Sequence, residues 1–376
     1  MIYLDNAATT KPCREAVEAV IKASEEFGNP SSLHGLGLRA EKLINEARST
    51  LASRLKVDKK HIYFTSGGTE ANNLAIFGVA DAMKRTGKRV ITSGIEHPSV
   101  LEAFKRLAAM GYEVVFADTD KDGRVNVESI KNALTPDTIL VSIMHVNNET
   151  GVIQPIEEIA KAVKTAAPKC IFHSDCVQSF CKLPVYPSEL GADMVTISAH
   201  KIHGFKGCGA LYTGNTRLIP QLYGGEQQNE IRPGTENTAG ILAFGASCDA
   251  AVCDAEAMRK KRALMRDELL KYVPWAAVNG SDEFNSGSVL NVSFPGIKAE
   301  ILLHSLERYE IYISTGSACS SHKPQPSHVL TAMGVDTASV SGAVRISFSQ
   351  YTTDDEIIEA ARKIAAEAET IKRYMR

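Results

Sequence analysis

The chain is poor in most of the features that mark specialised protein classes. It has one Trp in 376 residues and an aromatic share of 6%. It also has no low-complexity segment and no internal repeat. With 44% apolar and 23% charged residues, disordered and fibrous classes are excluded. Charge of one sign is missing too: 42 Lys and Arg face 44 Asp and Glu, a formal −2. No broad basic footprint exists, so direct nucleic-acid binding is disfavoured. No stretch approaches the ~18 consecutive apolar residues of a membrane span. The start, MIYLDNAATTKP, has no basic segment leading into an apolar one. These absences predict a cytoplasmic protein with no membrane partner. The eight cysteines, at 13, 170, 176, 181, 208, 248, 253 and 319, lack the dense spacing of a secreted disulfide framework and include no C-x2-C pair. Cys170, Cys176 and Cys181 cluster around His173, but small buried hydrophobes are the better expectation there, and no metal site is expected.

What is present is length enough for a full core and, as a prior, two domains. PCREAVEAVIKASEEFG carries apolar residues at helical spacing and ends in glycine, as a capped amphipathic helix should. The β-rich runs HIYFTSG, RVITSG, EVVFAD, TILVSIMHV, CIFHSD and MVTISA follow, mostly separated by helix-length segments. This alternation predicts an α/β domain with a mostly parallel central sheet, whose sites lie beyond the carboxyl ends of the strands. Near Ala239 the pattern changes to one long helix or two joined ones. Beyond it SVLNVSF, EIYIST and AVRISFS read as strands, with KAEILLHSLE and the tail from Thr353 as helices. The expected division is a large domain over 1–250 and a smaller α+β domain over 251–376. The first ~15 residues are placed to pack with the small one. No flexible linker separates the two.

TISAHKIHGFKG puts Lys201 directly after a strand-like run, among Ser, His and Gly. A lysine there is ordinarily a solvated surface group. With a depressed pKa it becomes a base or nucleophile, and it forms Schiff bases with aldehydes, pyridoxal phosphate among them. Such a cofactor makes further demands at strand ends. FTSGGTEANN offers backbone N–H groups for a phosphate where a strand runs through Gly67, Gly68 and Thr69 into a helix. Asp175, ending CIFHSD, can face a protonated pyridine nitrogen, and His97 in GIEHPSV can cover an aromatic ring. Each signal alone has a plainer explanation: a turn, a helix cap or a structural histidine. Their joint occurrence, in this order, favours a cofactor site. A second signal is STGSACSSHKPQPSHVL, which surrounds Cys319 with small polar residues and two prolines. That composition predicts an exposed loop, whereas most cysteines are buried, so Cys319 is a candidate nucleophile or sulfur carrier.

YLDNAATT, FGNPSSLHGLG, FTSGGTEANNLAI, EHPSV, MHVNNETGVIQPI, HSDCVQS, SAHKIHGFKG, RPGTENTAG, STGSACSS and VRISFS run nearly end to end. Together they make the chain resemble the pyridoxal-phosphate cysteine desulfurases of the aminotransferase class V family, in their iron-sulfur assembly and nitrogenase-associated group. The resemblance implies the fold type I architecture, with a seven-stranded, mostly parallel sheet, and a homodimer. It implies that Lys201 holds the cofactor as an internal aldimine, that His97 stacks on the ring and helps move protons, and that Asp175 pairs with the pyridine nitrogen. Asn148 and Gln178 would contact the 3-oxygen region. Thr69, Ser198 and His200 would hold the phosphate, Gly68 would let the backbone approach, and Thr235 would reach it from the second subunit. Arg345 would clamp the α-carboxylate of L-cysteine, a task suited to a guanidinium fork, with Asn29 assisting. Through a ketimine, L-cysteine would give L-alanine and a persulfide on Cys319. The sulfur would pass to acceptor proteins such as an iron-sulfur scaffold or a tRNA-thiolating enzyme.

Three positions depart from that pattern. Cys176 stands where alanine is usual, which would set a thiol close to the ring and is read as packing. Glu226 replaces a glycine and puts the path to Thr235 in doubt. Phe205 and Cys208 replace a proline and a branched aliphatic residue, with consequences expected for packing. Competing expectations are an aminotransferase, which has no need of Cys319, a selenocysteine lyase, which would not lose all activity when Cys319 is replaced, and a non-catalytic scaffold, which would be free to lose Lys201, His97, Asp175 and Cys319.

Overall fold

Local chemistry starts the helices that matter most here. His97 begins the helix Pro98–Ala109, its Nδ1 accepting the Ser99 N–H at 3.1 Å, with proline at the first helical position, where no N–H is needed. The helix Gly68–Met83 follows Gly67 directly. A Cβ at Gly68 would lie 2.9 Å from Val177 Cγ2, so the residue type permits this close approach. The computed structural model describes residues 1–315 and 326–374.

Seven strands form the larger sheet, in the spatial order Ile62–Thr65, Gly209–Tyr212, Met194–Ser198, Ile171–Asp175, Thr138–Ser142, Arg89–Ser93 and Glu113–Ala117. Gly209–Tyr212 runs antiparallel to both neighbours, and the remaining pairs are parallel. Thr138–Ser142 and Met194–Ser198 are buried at every position, as strands covered by helices on both faces must be. The six β-rich runs of the first half of the chain all lie in this sheet. The seventh, Gly209–Tyr212, is short and glycine-flanked, and its sequence carries no alternation to reveal it.

A second, antiparallel sheet orders Ser314–Thr315, Ala343–Ser347, Val289–Ser293 and Ala277–Asn279. The run EIYIST therefore contains two short strands. Its first part, Ile311–Tyr312, pairs in parallel with Ile2–Tyr3. Ser347 N then donates to Leu4 O at 2.7 Å, so the chain begins beside the second sheet before crossing to the first. Thr238–Ala250 and Ala255–Tyr272 are two helices bent by 83°, the second capped by Asp254 through the Ala257 N–H. No single described helix is long and apolar enough to cross a membrane. Apolar packing is divided likewise: Phe172, Phe180 and Phe244 belong to a cluster under the large sheet. Leu302, Phe294 and Phe348 belong to one around the second.

Candidate active site

The carboxyl ends of Ile171–Asp175 and Met194–Ser198 meet the start of the helix Gly68–Met83, and a cavity of 310 Å³ opens there. Its walls include Gly68, Thr69, His97, Asn148, Asp175, Gln178, Ser198, His200, Lys201 and Arg345. Ten residues singled out in the sequence thus share one space, although they come from both sheets.

Lys201 ends a short 3-10 turn that follows the strand Met194–Ser198. Its Nζ donates to Ala7 O at 2.6 Å and Ala8 O at 2.7 Å. Gln178 Nε2 also donates to Ala7 O, at 2.9 Å, so the crossing N-terminal segment braces one wall. Asp175 accepts the Val177 N–H on Oδ1 at 2.9 Å and Asn72 Nδ2 on Oδ2 at 2.7 Å. Burial lowers the pKa of His97; the Asp175 charge opposes this, while Lys201, His328 and Arg345 reinforce it. His200 is pushed down to about 3, chiefly by burial and then by Lys201, Lys206 and Lys182; its Nδ1 lies 3.2 Å from Thr9 Oγ1.

Arg345, on the second sheet, is 3% exposed. It donates through Nη2 to Asp5 Oδ1 at 3.0 Å and through Nη1 to Asn148 O at 3.1 Å. Its Nε has no partner among the described residues. Burial raises the Asp5 carboxyl, and Arg345 pulls it back. Asp5 is a residue whose part in the site the sequence did not reveal, as are Asn72 and Ser99. Asn72 Nδ2 donates to Ser99 Oγ at 2.8 Å as well as to Asp175.

Several expectations need correction or fall elsewhere. Cys176 is not beside the cavity. The strand pleat turns Asp175 toward it and the flanking side chains away, and Cys176 Sγ sits in the core 3.7 Å from Ser174 Oγ. Burial pushes that thiol up to about 12, which leaves a packing residue and no second nucleophile. Asn29 and Thr235 are exposed and do not line the cavity within this chain; Asn29 Oδ1 accepts the Ser31 N–H at 3.0 Å. Glu226 borders a separate cavity of 630 Å³ with Arg48 and Gln228. Cys208 is core, and Phe205 packs against Cys13, Ala16 and Ala243. Cys319 lies outside the described residues.

The aminotransferase class-V family model matches residues 2–359. A cysteine desulfurase IscS of Dictyoglomus turgidum is 40% identical over 99% of this chain and 96% of its own length. The chain belongs to the class-V aminotransferase family, among its cysteine desulfurases. Among solved structures, a NifS-like protein superposes with a TM-score of 0.91 at 35% identity, over 98% of this chain and 99% of that one. A structure described as SspA in complex with cysteine gives 0.82 at 32% identity, over 94% and 100%. This family of desulfurases depends on pyridoxal phosphate, and the cavity can be tested for fit. Ser198 Oγ is buried with no partner among the described residues, and it lies with Thr69 and His200 at the start of a 16-residue helix, a combination suited to a phosphate. Asp175 supplies an anion for a ring N–H, and Lys201 an amine for an aldehyde. The donor set fits the cofactor.

Proposed function

We propose that this desulfurase binds pyridoxal phosphate in the 310 Å³ cavity and moves the sulfur of L-cysteine to Cys319, releasing L-alanine. The observation that carries the proposal is the convergence of Lys201, Asp175, His97 and Arg345 on that one cavity. When bound, pyridoxal phosphate supplies an electron sink that acidifies the substrate Cα–H and activates the Cβ–Sγ bond.

The chain's own groups do the rest. Thr69, Ser198, His200 and the N–H groups after Gly67 hold the phosphate, with Thr235 added by the second subunit of a homodimer. Asp175 would supply the anion for the ring nitrogen, Asn148 and Gln178 would serve the 3-oxygen, and His97 would cover the ring. Lys201 would anchor the cofactor, and its amine is the group placed to take the substrate Cα proton. Arg345 holds the substrate carboxylate, with Asn29 assisting and Asp5 fixing the guanidinium. The Cys319 thiolate attacks the substrate sulfur. A sulfur–sulfur bond forms as the carbon–sulfur bond breaks, and the carbon left behind is protonated to alanine. Cytoplasmic acceptors, an iron-sulfur scaffold or a tRNA-thiolating enzyme, then take the persulfide sulfur. The division into domains near residue 250 is supported by the 83° bend between the helices Thr238–Ala250 and Ala255–Tyr272.

The test compares native protein with Cys319→Ala in L-cysteine and a thiol reductant. Native protein should release sulfide and alanine in equal amounts. Cys319→Ala should keep the cofactor spectrum and lose at least about 100-fold of its sulfide release, as expected for removal of a nucleophile. Full activity in the variant would remove Cys319 from the mechanism.

A further inference from the structure

Two side chains, Asn72 and Ser99, join Asp175 to His97, and with the Ser99 backbone N–H their hydrogen bonds fix one direction of donation. A carboxylate only accepts, so the Asn72 atom 2.7 Å from Asp175 Oδ2 must be the amide nitrogen. The reverse orientation would set two acceptor oxygens against each other. The second proton of that nitrogen points to Ser99 Oγ at 2.8 Å. Ser99 Oγ is thereby an acceptor once; because its own backbone N–H makes His97 Nδ1 an acceptor, the hydroxyl proton is directed to that nitrogen, 2.8 Å away. The Ser99 N–H reaches the same nitrogen at 3.1 Å. His97 Nδ1 is thus the target of two donors and cannot carry a proton without reversing the hydroxyl and opposing the backbone N–H. The contacts are buried: Asn72 is 1% exposed and Ser99 8%.

We propose that Asn72 and Ser99 form a relay from Asp175 that holds His97 as the neutral Nε2–H tautomer, making His97 a hydrogen-bond donor toward the cofactor face and not a base. The inference rests on the proposed function for what His97 faces, but the tautomer itself follows from the contacts above. It gives the two candidate proton carriers different tasks. Lys201 takes the Cα proton, and His97 can only offer the Nε2 proton, because a histidine whose Nδ1 is occupied by donors has no basic nitrogen left. Asn72 and Ser99 are positioning residues, acting through His97. Among the described residues, the charged and titratable groups facing His97 are Asp175, Lys201, His328 and Arg345. Burial, the largest influence on its protonation, already favours the neutral ring.

Nitrogen-15 NMR of the histidine-labelled holoenzyme reads the tautomer, with the His97 signals assigned by difference against His97→Gln. The expected spectrum shows Nδ1 unprotonated and Nε2 protonated; a protonated Nδ1 would overturn the proposal. Histidine C2-proton exchange followed by mass spectrometry reads the His97 pKa in native protein, Ser99→Ala and Ser99→Thr. The hydroxyl stabilises the neutral ring, so its removal should raise that pKa by about one unit, and threonine should restore it. An unchanged pKa in Ser99→Ala, with the fold intact by circular dichroism, would also refute the relay. Neither readout requires turnover. A native protein that fails to desulfurate cysteine but shows the Nε2–H tautomer would therefore sink the functional proposal and leave the relay standing.

Discussion

Lys201→Ala is expected to lower turnover of L-cysteine by at least about a thousandfold, the scale of losing a positioned acid–base group together with a covalent anchor. The lysine amine sits at the end of a buried strand, held between Ala7 O and Ala8 O, where no other described side chain amine lines the cavity. A neighbouring lysine cannot take over. Lys182, which burial depresses to about 8, borders a different cavity on the far side of Lys201. The fold should survive, since among the described residues the variant forfeits two hydrogen bonds worth ~1 kcal/mol each. Alanine release together with a thermal melt checks this. Retention of a tenth of native turnover would contradict the role of Lys201.

Arg345→Ala should have the second largest effect, and it should be visible in both activity and stability. Loss of a charge-assisted pair with the substrate carboxylate predicts a fall in kcat/KM of roughly 100-fold, mostly through KM. Asp5 is simultaneously left without its cation. Breaking a buried pair costs up to ~3–5 kcal/mol; the low end applies, because Asp5 is 21% exposed against 4% for Arg345. Urea midpoints check the second part. The double variant Asp5→Asn with Arg345→Ala should recover much of the lost stability while leaving kcat/KM low. A loss in the double variant equal to the sum of the losses in Asp5→Asn and Arg345→Ala would show that Asp5 and Arg345 are not energetically coupled.

Lys201, Asp175 and His97, legible in the sequence, share a property: each stands at or just beyond the end of a recognisable strand or at the start of a helix. Lys201 follows Met194–Ser198, Asp175 ends Ile171–Asp175, and His97 caps Pro98–Ala109. Parallel-sheet architecture then brings such ends together. Asp5, Asn72 and Ser99 were not legible, because their partners are set by tertiary packing. Asp5 meets Arg345 across 340 positions and Asn72 meets Asp175 across 103. A signal existed for Asn72, which lies four residues after Gly68 and so on the same helical face. Cys176 was misplaced beside the ring because adjacency in sequence to Asp175 was weighed above the two-residue period of a strand. The break between the helices Thr238–Ala250 and Ala255–Tyr272 was left open by the sequence, which reads as one long helix or two joined ones. Its intervening residues, Ala251–Asp254, include no Gly or Pro, and only Asp254, as a cap, marks the restart.

Borohydride reduction of the purified holoenzyme, followed by peptide mass mapping, tests the central claim most directly. The account predicts a single phosphopyridoxyl adduct, on Lys201, in the peptide that contains Ser198 and His200. An adduct on Lys182 or any other lysine, with Lys201 unmodified, would contradict it.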